Sequence, residues 1–179
     1  MSRPLADTFN VACDLLFIQA YKAFCSVYLL AVRGHEEDAV AVLRRLLEIS
    51  VQIGYLDQAP NPAERQDRAA AYLQHDPEGG GYWWGGTIKD LFSRLNLTAT
   101  YDPDYRWMAQ TAHGAARRVL LRVEGSVVQI RNTGFFAPLV VFACRYLLGA
   151  ARIWNGCFTL VDNDELERLS NKSLGFSFR

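Results

Sequence analysis

A chain of 179 residues that is 50% apolar and 21% charged is long enough for one sizeable core and too apolar to be disordered. Its formal net charge is zero, but twelve acids and six bases lie between Gly34 and Asp104, against five arginines and one acid from Tyr105 to Phe135. An anion would be expected to bind at this one basic segment, unless its arginines balance the acidic segment across the fold.

The cysteines are too widely spaced for a metal site. No CxxC occurs, and the separations within each half of the chain exceed the short ligand spacings of zinc sites. We therefore expect buried free thiols in a reducing cytoplasm and no metal or cofactor. The four cysteines are Cys13, Cys25, Cys144 and Cys157.

The N-terminus carries no basic region followed by a small-residue cleavage site, so no signal peptide is predicted. Charged residues interrupt the longest apolar runs, so no membrane span is predicted either. These residues are Lys22, Arg145 and Arg152.

Two helices joined by a glycine open the chain. Apolar residues at three- and four-residue spacing predict a long helix from about Leu5 to Val32, which Gly34 ends. Three consecutive acids suit the N-terminal end of a second helix, from about Glu36 to Leu56.

The second helix contains a charged cluster. Arg44 and Glu48 are spaced i,i+4, and Arg45 and Glu48 are spaced i,i+3, which predicts ion pairs within the helix. The pairs either face solvent or are satisfied within the protein, or Glu48 orients Arg45 beside a site.

A third helix is predicted from about Ala63 to Gln74, with Asn61 as its cap. The glycine- and tryptophan-rich loop 79–86 follows, and Thr87 caps a short helix from Ile88 to Leu95. The loop lacks both the GKS/GKT and the GxGxxG nucleotide fingerprints. Its aromatic residues are expected to anchor it on the bundle, with a stacking or phosphate site as the alternative.

Asp102 is predicted to cap, and Pro103 to begin, a helix that runs to about Arg118. A small β-hairpin or an extended loop is predicted near 119–131, because β-branched residues alternate around a Glu-Gly turn. A last long helix should run from Pro138 to about Leu160, followed by a short helix within 162–169 and a loosely held tail after about 170. The whole chain, 1–179, is predicted to form one all-α antiparallel helical bundle.

Within the helix after Asp102, Arg106 and His113 lie seven residues apart. Seven steps of about 100° return them to nearly the same face, two turns apart. Arginine and histidine on one helix face can hold and cleave a phosphodiester, or they can be a buried polar pair of a bundle.

Three motifs, in their order along the chain, resemble a bacterial helical family of unknown function, numbered 5677, over about Phe9 to Leu160. These motifs are an Arg-Leu-Leu-Glu helix at 45–48, the Trp-Gly-Gly stretch at 84–86 and a tyrosine-rich helix ending in His113-Gly114. The pattern is in turn similar to HEPN domains, all-α and often dimeric bundles found in toxin–antitoxin and phage-defence ribonucleases. Their signature is an arginine, four to six residues and a histidine, and Arg106 and His113 fit it.

The resemblance implies a metal-independent endoribonuclease that leaves a 2′,3′-cyclic phosphate. In this hypothesis Arg106 clamps the phosphate and His113 acts as acid or base. About 10 Å separates their Cα atoms, so a homodimer that apposes the two helices is expected to complete the cleft. The supporting candidates are Arg45, Glu48 and Tyr105, and the candidates for contacting the RNA backbone are Arg117 and Arg118.

Two other functions remain open. Arg106 and His113 can instead hold helices in register, for instance through Glu48, in a non-catalytic module that binds a partner protein such as an antitoxin or effector. A pocket for a small ligand or nucleotide, lined by Trp83, Trp84 and Tyr105, is the third hypothesis.

Overall fold

The computed structural model describes residues 7–76, 78, 80–113, 123–124, 127–128, 136–158, 162, 164–166 and 168–169. The side chains of residues 111–113, of 123–124 and 127–128, and of 136 and 158 are outside this description, as are Arg117, Arg118 and the tail after 170. The predictions made for those parts of the chain are therefore untested.

The described chain is all-α apart from one small hairpin, as predicted. In order, the helices are α1 (Thr8–Val32), α2 (Glu36–Asp57), α3 (Pro62–Gln74), α4 (Ile88–Arg94), a single turn α5 (Thr98–Thr100), α6 (Arg106–His113) and α7 (Phe136–Phe158). Residues 164–166 are also helical, within the predicted short helix. Between α6 and α7, Val123–Glu124 (β1) pairs antiparallel with Val127–Val128 (β2), which places the hairpin within 119–131.

The turn between α1 and α2 follows from one glycine. Gly34 has φ of +79°, a left-handed conformation that glycine adopts without steric cost. The N–H of His35 then donates to the carbonyl of Leu30 at 2.9 Å, and the N–H of Gly34 donates to that of Ala31 at 3.1 Å. This Schellman arrangement satisfies the last carbonyls of α1 and turns the chain back into α2.

The three long helices α1, α2 and α7 pack on one another and enclose the core. Much of the buried face of α1 consists of small residues, which lets neighbouring helices approach closely. The large core side chains come mainly from α2 and α4; α4 and α6 pack on α2, while α3 packs mainly on α1. The buried alanines of α1 are Ala12, Ala20, Ala23 and Ala31; the largest fully buried side chains of α2 and α4 are Leu43, Leu46, Ile49, Ile53, Leu56, Leu91 and Phe92.

Local capping sets the starts of α3 and α4 as predicted. The Asn61 side chain accepts the N–H of Glu64 at 2.9 Å. Thr87 and Asp90 form a reciprocal capping box, in which the Asp90 carboxylate accepts the Thr87 N–H at 2.7 Å. These hydrogen bonds lower the pKa of Asp90.

The predicted start of the helix at Asp102 is wrong. The chain is already helical from Thr98, because the N–H of Tyr101 donates to the carbonyl of Leu97 at 3.1 Å. Asp102 lies instead inside a π-helical segment, Tyr101–Tyr105, that leads into α6. Pro103 lies within this segment. Because it has no N–H to donate and its ring crowds the preceding turn, a regular α-helical turn is disfavoured there, and the helix is wider.

Two described helices are long and apolar enough to cross a membrane by length and composition. They are Thr8–Val32 and Ala137–Cys157, with mean hydropathies of 1.7 and 1.3. Core helices of soluble proteins have the same properties, so the expected absence of a membrane span stays a prediction.

Candidate functional site

Arg106 is the first residue of α6 and points into solvent. Its side chain is 60% exposed, and its guanidinium lies 3.3 Å from the Asp102 carboxylate, one turn earlier on the same helix. The prediction that Asp102 is a helix cap is thus replaced by an i,i+4 ion pair. Arg106 is neither buried in the core nor bonded to Glu48, as the non-catalytic hypothesis had suggested.

His113 is the last residue of α6. One regular helical segment therefore joins it to Arg106, with a rise of about 10 Å along the axis and an offset of about 20° around it. The direction of the histidine side chain lies outside the described residues. The backbone accordingly keeps both residues on the predicted face.

Behind Arg106, the preceding residue anchors the helix on α2. Tyr105 is buried, and its hydroxyl donates to the Glu48 carboxylate at 2.9 Å. Its ring stacks on Tyr101 at 5.2 Å between centroids and tilts against Phe92 at 5.7 Å. Tyr105 thus fixes the position from which Arg106 extends.

Glu48 joins the predicted supporting residues. Besides Tyr105, its carboxylate lies 3.4 Å from the guanidinium of Arg44 and 3.5 Å from that of Arg45. Glu48 is only 16% exposed, whereas Arg45 is 53% exposed. The structure therefore brings together Arg45, Glu48 and Tyr105. It adds Arg44, whose guanidinium also lies 5.9 Å from the centre of the Tyr105 ring.

A second tyrosine–carboxylate contact lies between the π-helical segment and α7. The hydroxyl of the buried Tyr146 donates to Asp104 at 3.2 Å. The carbonyl of Tyr146 accepts from the Ser50 hydroxyl at 3.0 Å, which connects α7 to α2. Sequence analysis missed this contact, because a tyrosine and an aspartate 42 residues apart show no local pattern.

Burial raises the pKa of both tyrosines. For Tyr105 the removal from water is the largest cause, and the charge and hydrogen bond of Glu48 add to it. For Tyr146 burial is again the largest cause, followed by the charge and hydrogen bond of Asp104. Both hydroxyls consequently stay protonated donors throughout the neutral range.

These shifts predict a loss of stability in alkali. A pKa raised above the unfolded tyrosine value of about 10 gives stability that is complete below that pH and is lost as the pH rises toward the folded pKa. We expect the free energy of unfolding, measured in urea, to fall more steeply between about pH 9 and pH 11 for the wild type than for Tyr105→Phe/Tyr146→Phe. If the free energy of unfolding falls equally steeply with pH in the wild type and the double variant, the two tyrosines do not have raised pKa values in the folded protein.

The tryptophans of loop 79–86 pack against the bundle, as the anchoring hypothesis predicts. The Trp83 indole N–H donates to the buried Gln52 at 2.9 Å, and its ring contacts Tyr55 and Tyr72. Trp84 is buried, and its N–H donates to the carbonyl of Thr87 at 3.2 Å. Both indole donors are therefore used in packing, which weakens the hypothesis of a nucleotide pocket at these rings.

Among the described residues, no three side chains of histidine, cysteine, aspartate or glutamate are grouped to hold a metal ion. The chemistry available at α6 is thus that of a solvent-exposed guanidinium and a histidine on the same helix, with the partly buried Glu48 carboxylate holding the helix through Tyr105.

The fold and this helix define the class of the molecule: an all-α bundle protein with an exposed arginine on a helix that is anchored through Tyr105 and Glu48. Residues 11–79 match the Family of unknown function (DUF5677), so the resemblance to family 5677 is confirmed over that segment. The match covers most of α1, with α2 and α3, which is shorter than the predicted span of 9–160, and includes Arg45 and Glu48. No curated protein and no solved structure matches the chain significantly.

Proposed function

We propose that the protein is a metal-independent endoribonuclease of the HEPN-like type, with Arg106 and His113 as its catalytic residues. One observation carries the proposal: the two residues begin and end the same helix, and the Arg106 guanidinium stands in solvent beside the exposed carboxylate of Asp102. The toxin or phage-defence role implied by the HEPN resemblance is part of this proposal.

The chemistry needs no metal, because RNA carries its own nucleophile. The 2′-hydroxyl attacks the adjacent phosphorus while the bond to the 5′-oxygen breaks, which leaves a 2′,3′-cyclic phosphate and a 5′-hydroxyl. Histidine, with a pKa of about 6.5 when unperturbed, suits the transfer of these protons near neutral pH. Arginine remains charged and binds two phosphate oxygens with its forked N–H groups.

The ion pair with Asp102 does not block this role. Both side chains are 60% exposed, and such surface pairs contribute only about 0–1 kcal/mol. An RNA phosphodiester carries the same single charge as a carboxylate and also accepts two parallel hydrogen bonds, so it can replace the weakly bound Asp102 on Arg106 at little cost.

The π-helical segment before Arg106 supports a functional assignment. Such widened turns cost stability and occur frequently at functional sites. Here the widened turn lies between Tyr101 and Tyr105, whose stacked rings fix the base of α6.

A shared cleft follows from the spacing. Arg106 and His113 are about 10 Å apart along the helix, too far for both to reach one phosphate easily. A two-fold dimer that apposes the two α6 helices would place Arg106 of one copy beside His113 of the other. We therefore propose a homodimer as the active species.

The test uses paired substrates. Purified protein in excess EDTA should cut a single-stranded RNA, leave cyclic phosphate ends detected by mass spectrometry, and leave DNA of the same sequence intact. The DNA control isolates the 2′-hydroxyl, and EDTA removes contaminating metal-dependent nucleases. Cleavage of the DNA as well as the RNA, or cleavage that EDTA abolishes, would contradict the mechanism. If no RNA is cleaved, a non-catalytic role is favoured.

A non-catalytic interaction module is the second candidate, and an apolar stripe on α1 favours it. The stripe presents six large apolar side chains that are 42% to 56% exposed, the kind of apolar surface that marks an interaction site. Its spacing of three and four residues suits packing against an identical helix, so we assign its occupant as a second copy of this chain. The stripe comprises Leu15, Ile18, Tyr21, Cys25, Tyr28, Leu29 and Val32, of which Leu29 is 51% and Val32 56% exposed.

A dimer through α1 differs from the dimer that shares the cleft. α6 packs on α2, while the stripe lies on the face of α1 left open by α2, α3 and α7. If Leu29→Asp converts a dimer to a monomer in sedimentation equilibrium, the stripe is the interface. If RNA cleavage survives that change, the active site does not depend on this interface.

A further inference from the structure

A cavity of about 500 Å³ lies where the ends of four helices meet. The starts of α1 and α3 and the last turns of α2 and α7 form its walls, with Asn10, Arg65, Asp57 and Arg152 among the lining residues. Asp57 ends α2 and lies about 13 Å beyond Glu48 along the helix axis, so the cavity is distinct from the surroundings of Glu48. Its volume is typical of sites that bind small molecules.

Arg65 is fixed at the wall of this cavity with part of its guanidinium unused. Its Nη2 donates to the carbonyl of Asp57 at 3.0 Å, and its guanidinium lies 4.8 Å from the ring centre of the buried Phe9. Its Nε is shielded from solvent and has no hydrogen-bond partner among the described residues. A shielded donor without an acceptor costs free energy, so an acceptor supplied by a ligand would stabilise it.

Arg152 contributes a second guanidinium to the same cavity. Its side chain is exposed on α7, and within the described part of the chain no carboxylate forms an ion pair with it. Asn10 and Gln66 also line the cavity, and each carries an amide NH₂ group that can donate. The cavity therefore offers two cationic forks and two neutral donors to one molecule.

The two acids of the wall leave these donors largely available. Asp7 caps α1, where its carboxylate accepts the N–H of Phe9 at 3.3 Å. The Asp57 carboxylate is 44% exposed and lies 3.9 Å from the Arg65 guanidinium, which is too far for a hydrogen bond. An exposed pair at this distance is weak. Because Arg152 alone has five N–H groups, donors outnumber acceptors, and an anion suits the cavity better than a cation.

We propose that this cavity binds a small organic anion, with a carboxylate or phosphate head held between Arg65 and Arg152. Guanidinium groups bind the oxygens of both heads in the same forked geometry. The cavity is far larger than such a head, and Pro62 and Ile153 supply apolar wall for the body of the molecule. The proposal goes beyond RNA cleavage and does not depend on it, since none of these residues belongs to the proposed catalytic site.

A bound anion would connect two helices through its oxygens, because Arg65 belongs to α3 and Arg152 to α7. Since the two guanidiniums come together only in the folded protein, the unfolded chain offers the anion no such site. Saturating ligand should therefore raise the melting temperature. An uncharged molecule with the same body should leave it unchanged.

The experiment titrates the full-length protein with benzoate and, separately, with phenyl phosphate, and follows the arginine Nε–H signals by NMR. We expect the signals of Arg65 and Arg152 to shift and saturate, while that of Arg33, exposed at the opposite end of α1, stays in place. Constant ionic strength removes changes due to general screening of exposed charges. Comparison of the two affinities distinguishes a carboxylate head from a phosphate head. Benzyl alcohol, which has the ring without the charge, should cause no shift.

Arg152→Ala should weaken the binding of the tighter probe about tenfold or more, as expected for the loss of a hydrogen bond between charged groups. Arg33→Ala, the matched control, should bind the probe like the wild type. Because Arg152 is exposed, the variant should fold, and its melting temperature without ligand checks this. The proposal is wrong if neither probe binds, if inorganic phosphate binds as tightly as both probes, or if Arg152→Ala binds them unchanged. The wild-type titration gives its answer without any variant.

Discussion

RNA cleavage by His113→Ala and by Arg106→Ala is expected to be at least about 100-fold slower than cleavage by the wild type. Removal of a general acid or base typically costs a factor of about 10²–10⁴, and removal of a charged donor aimed at the transition state costs a similar factor. Arg106→Lys should restore little of the activity, since lysine lacks the planar fork that binds two phosphate oxygens. Single-turnover rates on a defined RNA measure these effects without interference from product release.

Asp102→Asn is the matched control for Arg106. It removes the exposed partner of the guanidinium while it leaves a side chain of the same shape, and both groups are 60% exposed. The change in the free energy of unfolding should stay within about 0.5 kcal/mol. Cleavage should persist or rise, because Arg106 no longer has to leave a carboxylate before it binds phosphate. If Asp102→Asn, Arg106→Ala and the wild type all cut at one rate, Arg106 has no catalytic role.

Mixing two inactive variants tests the shared cleft. In a heterodimer of Arg106→Ala with His113→Ala, one of the two composite sites lacks both residues and the other is intact. Statistical exchange of subunits should therefore restore about a quarter of wild-type activity in an equimolar mixture. No recovery, although exchange is shown by tagged subunits, would place Arg106 and His113 of the same chain in each site.

The sequence was informative where structure is decided locally. Asn61, Thr87 with Asp90, and Gly34 set helix ends through hydrogen bonds or conformations that span at most a few residues. The same reasoning failed at Asp102, where an Asp-Pro pair usually begins a helix. Its failure has a local cause one turn earlier, since the chain after Leu97 is already helical and Asp102 pairs forward with Arg106.

Contacts between distant helices were harder to foresee. Spacing alone paired Glu48 with Arg44 and Arg45, but the hydrogen bond to Tyr105 joins residues 57 positions apart. The hydrogen bond from Tyr146 to Asp104 joins residues 42 positions apart, and it depends on α7 packing beside the π-helical segment. Neither contact leaves a periodic signal in the sequence, because each is decided by which helices pack together and in what register.

Glu48→Ala is expected to lower the free energy of unfolding by about 2–3 kcal/mol. The change leaves the buried Tyr105 hydroxyl without its acceptor and two neighbouring arginines without their shared carboxylate. The value lies at the lower end of the range for buried ionic groups, because Glu48 is still 16% exposed and Arg45 is half in solvent. Urea unfolding of purified variants measures the loss.

A double-mutant cycle separates the hydrogen bond from the ion pairs. Tyr105→Phe removes only the hydroxyl and should cost about 1–2 kcal/mol, while in the background of Glu48→Ala the same change should cost much less. Asp102→Asn, which breaks an exposed pair on the same segment, provides the baseline for a surface ion pair. If Glu48→Ala costs no more than this baseline, Glu48 does not anchor α6. The position of Arg106 must then be set by other contacts, such as the packing of Tyr105 on Tyr101 and Phe92.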